Sequence, residues 1–265
     1  MPELPDVEIF KKYVESTALH KNVVKVEDCN KDLLAGGTCA DLDRELQGKS
    51  LNECYRYGKY LFIRTGKDKF LMLHFGMTGF LRYYKEAAES PDHIRLLLKL
   101  ENDYHLAYDC SRKLGKISLT PSIEQFVQDH ELGPDALELC RDSEAFAAKI
   151  YSSRGTIKGM LMNQKNVAGL GNVYVDEILF QAEIHPKTNC SDLTAKQRKR
   201  IATVTRHVLQ TAIEKQAGAN GWPRSWLLPK RQHRQKCPRC GGRIERLTVS
   251  GRNGYYCKDH QRKKG

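Results

Sequence analysis

Near its C-terminus the chain reads CPRC, then sixteen residues, then CKDH, which spaces Cys237, Cys240, Cys257 and His260 as two ligand pairs. Each pair encloses two residues, the spacing of two tight turns that a hairpin can present to one tetrahedral zinc. Three thiolates and an imidazole suit the softness of that metal. Four protein ligands leave no open position, so one structural Zn2+ is expected, without a catalytic task. The intervening RIERLTVSGRNGYY supplies the hairpin, with Arg252-Asn253-Gly254 as its expected turn. So small a unit has few apolar residues, and metal binding must supply much of its folding free energy. At the other end, MPELPDVE crowds two prolines and three acids into eight positions. Pro5 suits the first turn of a helix, and Asp6 and Glu8 complement its positive end. Pro2 and Glu3 have no part in that helix start.

Two kinds of secondary structure must position these ends. Val7, Phe10, Tyr13 and Val14 recur at helical spacing, so an amphipathic helix runs to about Leu19. From Val23 to about Ser118 the pattern alternates instead: VVKVE, SLNECYRYGKYLFIRT, a GKD turn, KFLMLHFGMTGFLRYY, then IRLLLKLE against YHLAY across Asn-Asp. Successive hairpins with alternating faces predict an antiparallel sandwich with the first helix packed on it. After Pro121 helical spacing returns at 122–130, 143–151, 156–164, 172–182 and 195–216, the last opening on a Thr194/Gln197 capping box. Gly and Pro make a loop of 218–236. The fold class is therefore α+β, with an N-terminal helix and β-sandwich at 1–121, a helical domain at 122–229 and the zinc finger at 230–265.

With 40% hydrophobic and 29% charged residues, the 265-residue chain has the composition of a globular protein that can bury a sizeable core. It has no run of about 18 apolar residues, and its acidic start has the wrong sign for a secretory signal. An intracellular protein without a membrane partner is expected. From Lys230 to Gly265 there are twelve Lys and Arg against Glu245 and Asp259, which is +10 of the chain's +12. A tail this basic points to nucleic acid. Cys29, Cys39, Cys54, Cys110, Cys140 and Cys190 follow no ligand spacing and are expected as reduced, partly buried thiols.

Taken together, MPELPDVE, RYGKYLF, HFGMTGFL, IKGMLMNQKNVAGLGNVYVDEILFQAEIHP and the finger resemble the formamidopyrimidine-DNA glycosylase/endonuclease VIII family, in order and over nearly the whole chain. The resemblance implies a bifunctional DNA glycosylase/AP lyase of base excision repair, with a helix-two-turn-helix in its helical domain. Its partner would be double-stranded DNA containing oxidised bases or abasic sites, bound by a monomer in the nucleoid of a bacterium or the nucleus of a eukaryote.

On this resemblance, Pro2 becomes the nucleophile once Met1 is removed. An α-amine titrates near neutrality, so part of it is free to attack the anomeric carbon and form a cationic imine, after which β,δ-elimination breaks the strand. Glu3 is the matching acid/base, and Lys59 in YGKYL reaches the lesion nucleotide. Met77 is the apolar wedge that holds the duplex open and Arg112 faces the orphaned base. Lys158, Gly169, Gly171 and Asn172 form a phosphate cradle, with Asn172 capping the following helix. Arg252 clamps a phosphate from the hairpin tip. Tyr174, Asp176 and Glu177 are expected to pack or cap.

Three positions and one stretch depart from the family pattern. Leu114 stands where an aromatic is familiar, Asp6 shortens the usual glutamate, and His260 replaces the usual fourth cysteine. The stretch Ala217–Lys236 is short for the lesion-capping loop of 8-oxoguanine enzymes, which leaves formamidopyrimidines, oxidised pyrimidines and hydantoins open as substrates. Trp222 and Trp226 are candidates for base stacking or for local packing. A catalytically silent zinc-finger protein that binds damaged DNA is the alternative, and a zinc-ribbon RNA-binding protein a third. The joint presence of Pro2, Glu3 and Lys59 argues for the enzyme.

Overall fold

The computed structural model describes residues 1–67 and 69–262, so Asp68 of the expected GKD turn and the end of the expected finger, 263–265, lie outside the described residues. The chain divides into two compact units. Met1–Pro2 and Asp6–His130 form the first; Glu3–Pro5 and Glu131–Gly265 form the second. Helix α1 (Leu4–Thr17) therefore starts in the second unit and continues in the first.

After α1 the first unit contains β1 (Val23–Cys29), α2 (Cys39–Leu46), β2 (Leu51–Tyr57), β3 (Tyr60–Thr65), β4 (Lys69–His74), β5 (Phe80–Tyr84), β6 (Ile94–Leu100), β7 (His105–Asp109), β8 (Lys116–Thr120) and α3 (Ile123–Asp129). The strands make two four-stranded antiparallel sheets, ordered β1-β6-β7-β5 and β2-β3-β4-β8. Leu61, Ile63, Leu71 and Leu73 of one sheet and Leu96, Leu98, Leu106 and Tyr108 of the other share one core with Val7 and Val14 of α1. Each such aliphatic side chain contributes about 1.5–3 kcal/mol on burial. This is the expected sandwich with its packed helix. Consecutive strands β4 and β5 lie in different sheets, so the loop Phe75–Gly79 crosses between layers.

Three features of this unit correct the sequence reading. Helix α2 interrupts what was read as strand and loop. Thr38 caps it by accepting from Asp41 N while the Asp41 side chain accepts from Thr38 N, and Leu42 and Leu46 are buried. Helix α3, assigned above to the helical domain, belongs here because Phe126 packs edge-on against Tyr60 and Phe62, with centroids 5.1 and 5.2 Å apart. Cys29 and Cys39 are joined as a disulfide rather than left as thiols, since the end of β1 and the start of α2 bring their Cα atoms within 5.7 Å. Cys54, Cys110, Cys140 and Cys190 are free and buried, as expected.

The second unit contains α4 (Ala136–Leu139), α5 (Ser143–Tyr151), α6 (Ile157–Met162), α7 (Asn172–Ala182), α8 (Ala195–Glu214), β9 (Ile244–Val249) and β10 (Arg252–Cys257). Helix α7 is buried nearly all round, and its Val175, Ile178 and Leu179 share a core with Phe146 and Ile150 of α5 and Ile201, Val208 and Leu209 of α8. Helix α8 carries the expected capping box, Thr194 with Gln197. The finger strands β9 and β10 pack on the same helix: Phe180 of α7 shares a cluster with Leu227, Cys237, Ile244 and Cys257. Among the described residues no helix is long and apolar enough to cross a membrane.

Candidate active site and metal centre

Glu3 is fully buried in the second unit. Its Oε1 accepts from Val173 N at 2.9 Å and its Oε2 from Tyr174 N at 3.2 Å. These are the second and third residues of α7, whose amides have no intrahelical partner and form the positive end of the helix. Gly171, the N-cap residue, has no side chain to offer, so a carboxylate from 170 positions away fills the role. The approach depends on small residues. A Cβ on Gly171 would lie 2.3 Å from the Glu3 carboxyl carbon, and one on Gly169, whose φ is +104°, would lie 2.6 Å from Leu4 Cδ1. Leu4 N donates to Gly169 O at 3.1 Å, so the chain's start is held against this turn by backbone as well as side chain. Pro2, half-buried, directly precedes the anchored glutamate.

Two of the expected phosphate-cradle residues have other tasks. Asn172 does not cap α7. It is the first helical residue, and its Nδ2 donates to Asn253 O at 2.8 Å, tying the helix start to the hairpin. The carboxylate of Glu3 already occupies the cap. Lys158 is fully buried and pairs with Asp176 Oδ1 at 2.5 Å, which removes its ammonium from any phosphate. Burial pulls the lysine below its usual range, opposed by the carboxylate charge of Asp176. Tyr174, Asp176 and Glu177 are buried, in keeping with packing and capping. Glu177 accepts from Leu228 N at 2.8 Å and Gln181 Nε2 at 2.7 Å, and burial pushes its carboxyl up to about 7.

The first unit gathers a second group. Thr78 Oγ1, in the loop between layers, accepts from Ser111 Oγ at 3.0 Å and Arg112 N at 3.2 Å, joining that loop to the one before β8. Arg112 Nη1 in turn lies 3.5 Å from Met77 Sδ. Leu114 crosses directly over Gly76, where a Cβ would come within 2.5 Å of its carbonyl. Met77, Arg112 and Leu114 thus share one exposed rim, with the two apolar side chains 41% and 55% accessible. Lys59 sits half-buried in the tight turn between β2 and β3. Strand register puts His74 opposite Tyr60, with the rings 5.0 Å apart. Burial, with Lys59 and Lys116 adding positive charge, pushes the His74 imidazole down to about 4, so it is neutral at physiological pH. His74 was not singled out from the sequence. Its place beside Lys59 depends on a pairing across two strands.

At the finger, the ligand atoms of Cys237, Cys240, Cys257 and His260 all lie within 4.8 Å of one another. Cys237 Sγ is 3.6 Å from His260 Nδ1 and Cys240 Sγ is 3.4 Å from Cys257 Sγ, separations that suit one tetrahedral ion at Zn–S distances of about 2.3 Å. Burial pushes the Cys257 thiol up to about 12, so a thiolate there needs a cation to sustain it. The residues fit one structural zinc. Gln261 fastens the site to the body, accepting from Cys257 N and donating to Ile184 O. The hairpin turn falls at Ser250-Gly251, both with positive φ, rather than at Arg252-Asn253-Gly254. Arg252 opens β10 opposite Val249 and is exposed beside the tip. Trp226 is buried and stacks on Trp222 at 5.3 Å, and Trp222 meets Tyr174 edge-on, which is local packing.

Comparison with known proteins matches three family models along the chain. These are the formamidopyrimidine-DNA glycosylase N-terminal domain at residues 1–117, the H2TH domain of the same glycosylase at 132–221, and the zinc finger found in FPG and IleRS at 234–259. The chain is 32% identical to the formamidopyrimidine-DNA glycosylase of Streptococcus pyogenes, over the full length of both, and 28% identical to that of Protochlamydia amoebophila, over 99% of this chain and all of the other. Among solved structures it is similar to the Lactococcus lactis enzyme bound non-covalently to DNA containing an abasic site. That match has a TM-score of 0.88 and 30% identity and covers 98% of this chain and all of that one.

Proposed function

The chain belongs to the formamidopyrimidine-DNA glycosylase family, and from that premise we propose how its own residues carry the chemistry. It is a DNA glycosylase of base excision repair, acting on double-stranded DNA with oxidised bases or abasic sites and cutting the strand afterwards as an AP lyase. The observation that carries the reading is Glu3, fully buried yet held by two amides at a helix start, immediately after a proline that becomes the chain terminus once Met1 is removed.

The secondary amine of Pro2 attacks the anomeric carbon of the damaged nucleotide and the base departs, leaving a cationic imine on the opened sugar. That cation makes the neighbouring sugar proton acidic. Its loss expels the phosphate on the 3′ side, and a second elimination expels the 5′ phosphate. Glu3 handles the protons at the ring oxygen and through the eliminations. The cap fixes its carboxylate against a rigid helix end, which is the preorganisation such a step requires. Lys59, with the neutral His74 beside it, serves the lesion nucleotide's phosphate. Met77 fills the space left by the flipped base, with Arg112 toward the unpaired partner and Leu114 on the same rim. From the second unit Arg252 serves the backbone while Asn172 holds the hairpin against the start of α7, and zinc, held by Cys237, Cys240, Cys257 and His260, keeps the hairpin folded. The two relatives named above are bacterial, so the working place of this reading is the bacterial nucleoid.

Duplexes each bearing one defined lesion, resolved for strand ends after incubation, test the reading. Cleavage at an oxidised base with phosphate at both new ends is expected, with affinity falling steeply as salt rises. Binding without any cleavage would favour the silent damage-binding alternative.

A further inference from the structure

One carboxylate in the second unit is a node that joins three separate segments of the chain. Asp176, fully buried on α7, takes Lys158 Nζ on Oδ1 at 2.5 Å. Its Oδ2 accepts from Arg231 Nε at 2.9 Å and Tyr255 N at 3.0 Å, and the Arg231 guanidinium pairs with it, Nη2 lying 2.8 Å away. One carboxylate therefore binds α6, the segment leading into the finger, and the backbone of β10. The hairpin lies directly on it, because a Cβ on Gly254 would come 2.0 Å from Lys158 Nζ and 2.9 Å from Asp176 Oδ1. The next hairpin residue, Asn253, is held by Asn172, and Arg231 stacks over Tyr255 at 5.0 Å. A buried ion pair contributes little to stability relative to a well-packed apolar group, so its occurrence here calls for a different explanation.

We infer that Asp176 is a positioning residue for DNA engagement: it sets β10 in register with the start of α7, so that Arg252 meets the backbone of the same duplex whose lesion faces Glu3. The inference rests on the proposed function of Arg252. Glu3 and Asp176 lie within one turn of the same helix, Glu3 on the amides of Val173 and Tyr174 and Asp176 two residues further on. A shift of the hairpin would leave both parts folded and lose their common frame.

The test uses full-length zinc-loaded protein and a duplex carrying an uncleavable abasic analogue. Asp176→Asn removes the charge, and Gly254→Ala displaces the hairpin from the node without removing any charge. The glycine has no positive φ, so alanine is compatible with its backbone. Each variant that retains zinc and melting temperature should bind roughly tenfold more weakly, with the salt slope reduced by about one, as Arg252→Ala should. The double variant Gly254→Ala/Arg252→Ala should bind no more weakly than Arg252→Ala alone, since both act through one contact. Losses that multiply, or a zinc-loaded Gly254→Ala protein with parental affinity and salt slope, would overturn the inference. Should Asp176→Asn fail to fold, Gly254→Ala decides alone. Parental binding by Arg252→Ala would remove that arginine from the proposed function and this role of Asp176 with it.

Discussion

Gly171→Ala isolates the placement of Glu3 from everything else in the second unit. Gly171 has φ −134° and ψ −170°, extended backbone that alanine adopts freely, so the substitution meets no conformational obstacle. What it meets is the carboxylate, with the new methyl 2.3 Å from Glu3 Cδ and Oε1. An ordinary contact begins near 3.4 Å, so Glu3 must retreat by about 1 Å and lose at least one of its two amide bonds. Overpacking of this kind costs about 1–3 kcal/mol of stability, which leaves the unit folded. A displacement of about 1 Å at a reacting group costs on the order of 100-fold in rate. Single-turnover excision should therefore fall by roughly two orders of magnitude, while affinity for an abasic-analogue duplex changes by no more than about threefold. Parental turnover in a folded Gly171→Ala protein would refute the view that the helix cap positions Glu3 for chemistry.

Other outcomes follow from the buried carboxylate and the metal. Glu177 has its pKa raised by burial from 4.5 to about 7, so its neutral form favours the folded state. That stability is fully present below about 4.5 and is lost as pH rises through 7, amounting to about 3 kcal/mol. Urea denaturation at pH 5 and pH 8.5 should show Glu177→Gln losing less stability between the two pH values than the parent; parallel losses would contradict the assignment. Removing zinc with a chelator, or Cys237→Ser, should unfold the hairpin and weaken duplex binding at least tenfold. The check is metal content measured beside affinity, and unchanged binding after verified metal loss would make the finger dispensable.

The sequence yielded what is local or repeats at short range. The ligand pairs at 237–240 and 257–260, the helices at 143–151 and 172–182, and the capping box at Thr194 each depend on residues a few positions apart, and each stands where it was read. Local chemistry also signalled helix α2, through Thr38 and Asp41, but the alternating residues around it masked the capping box. What could not be read is contact across long separations. The Glu3 cap spans 170 positions and displaced Asn172 from the role its place in the motif suggested. Lys158 looks the same in a sequence whether it is solvated or sealed against Asp176, and only the fold brings the acid 18 residues away onto it. Helix α3 carries an apolar face in either unit, and the aromatic partners that claim it lie on β3. The resemblance points to Met77, Arg112 and Leu114 one by one, while what brings them onto one rim, Thr78 linking two loops, appears only in three dimensions.

The central claim is that the amine of Pro2 is the group that captures the sugar. Borohydride added during reaction with a damaged duplex reduces the imine to a stable bond, and mass mapping of the digested adduct reports which residue carries the nucleotide. The expected result is a single modified peptide beginning at Pro2, with little trapping by Pro2→Gly or by protein that keeps Met1. A parental yield from those proteins, or the adduct on Lys59 or any other lysine, would contradict the mechanism.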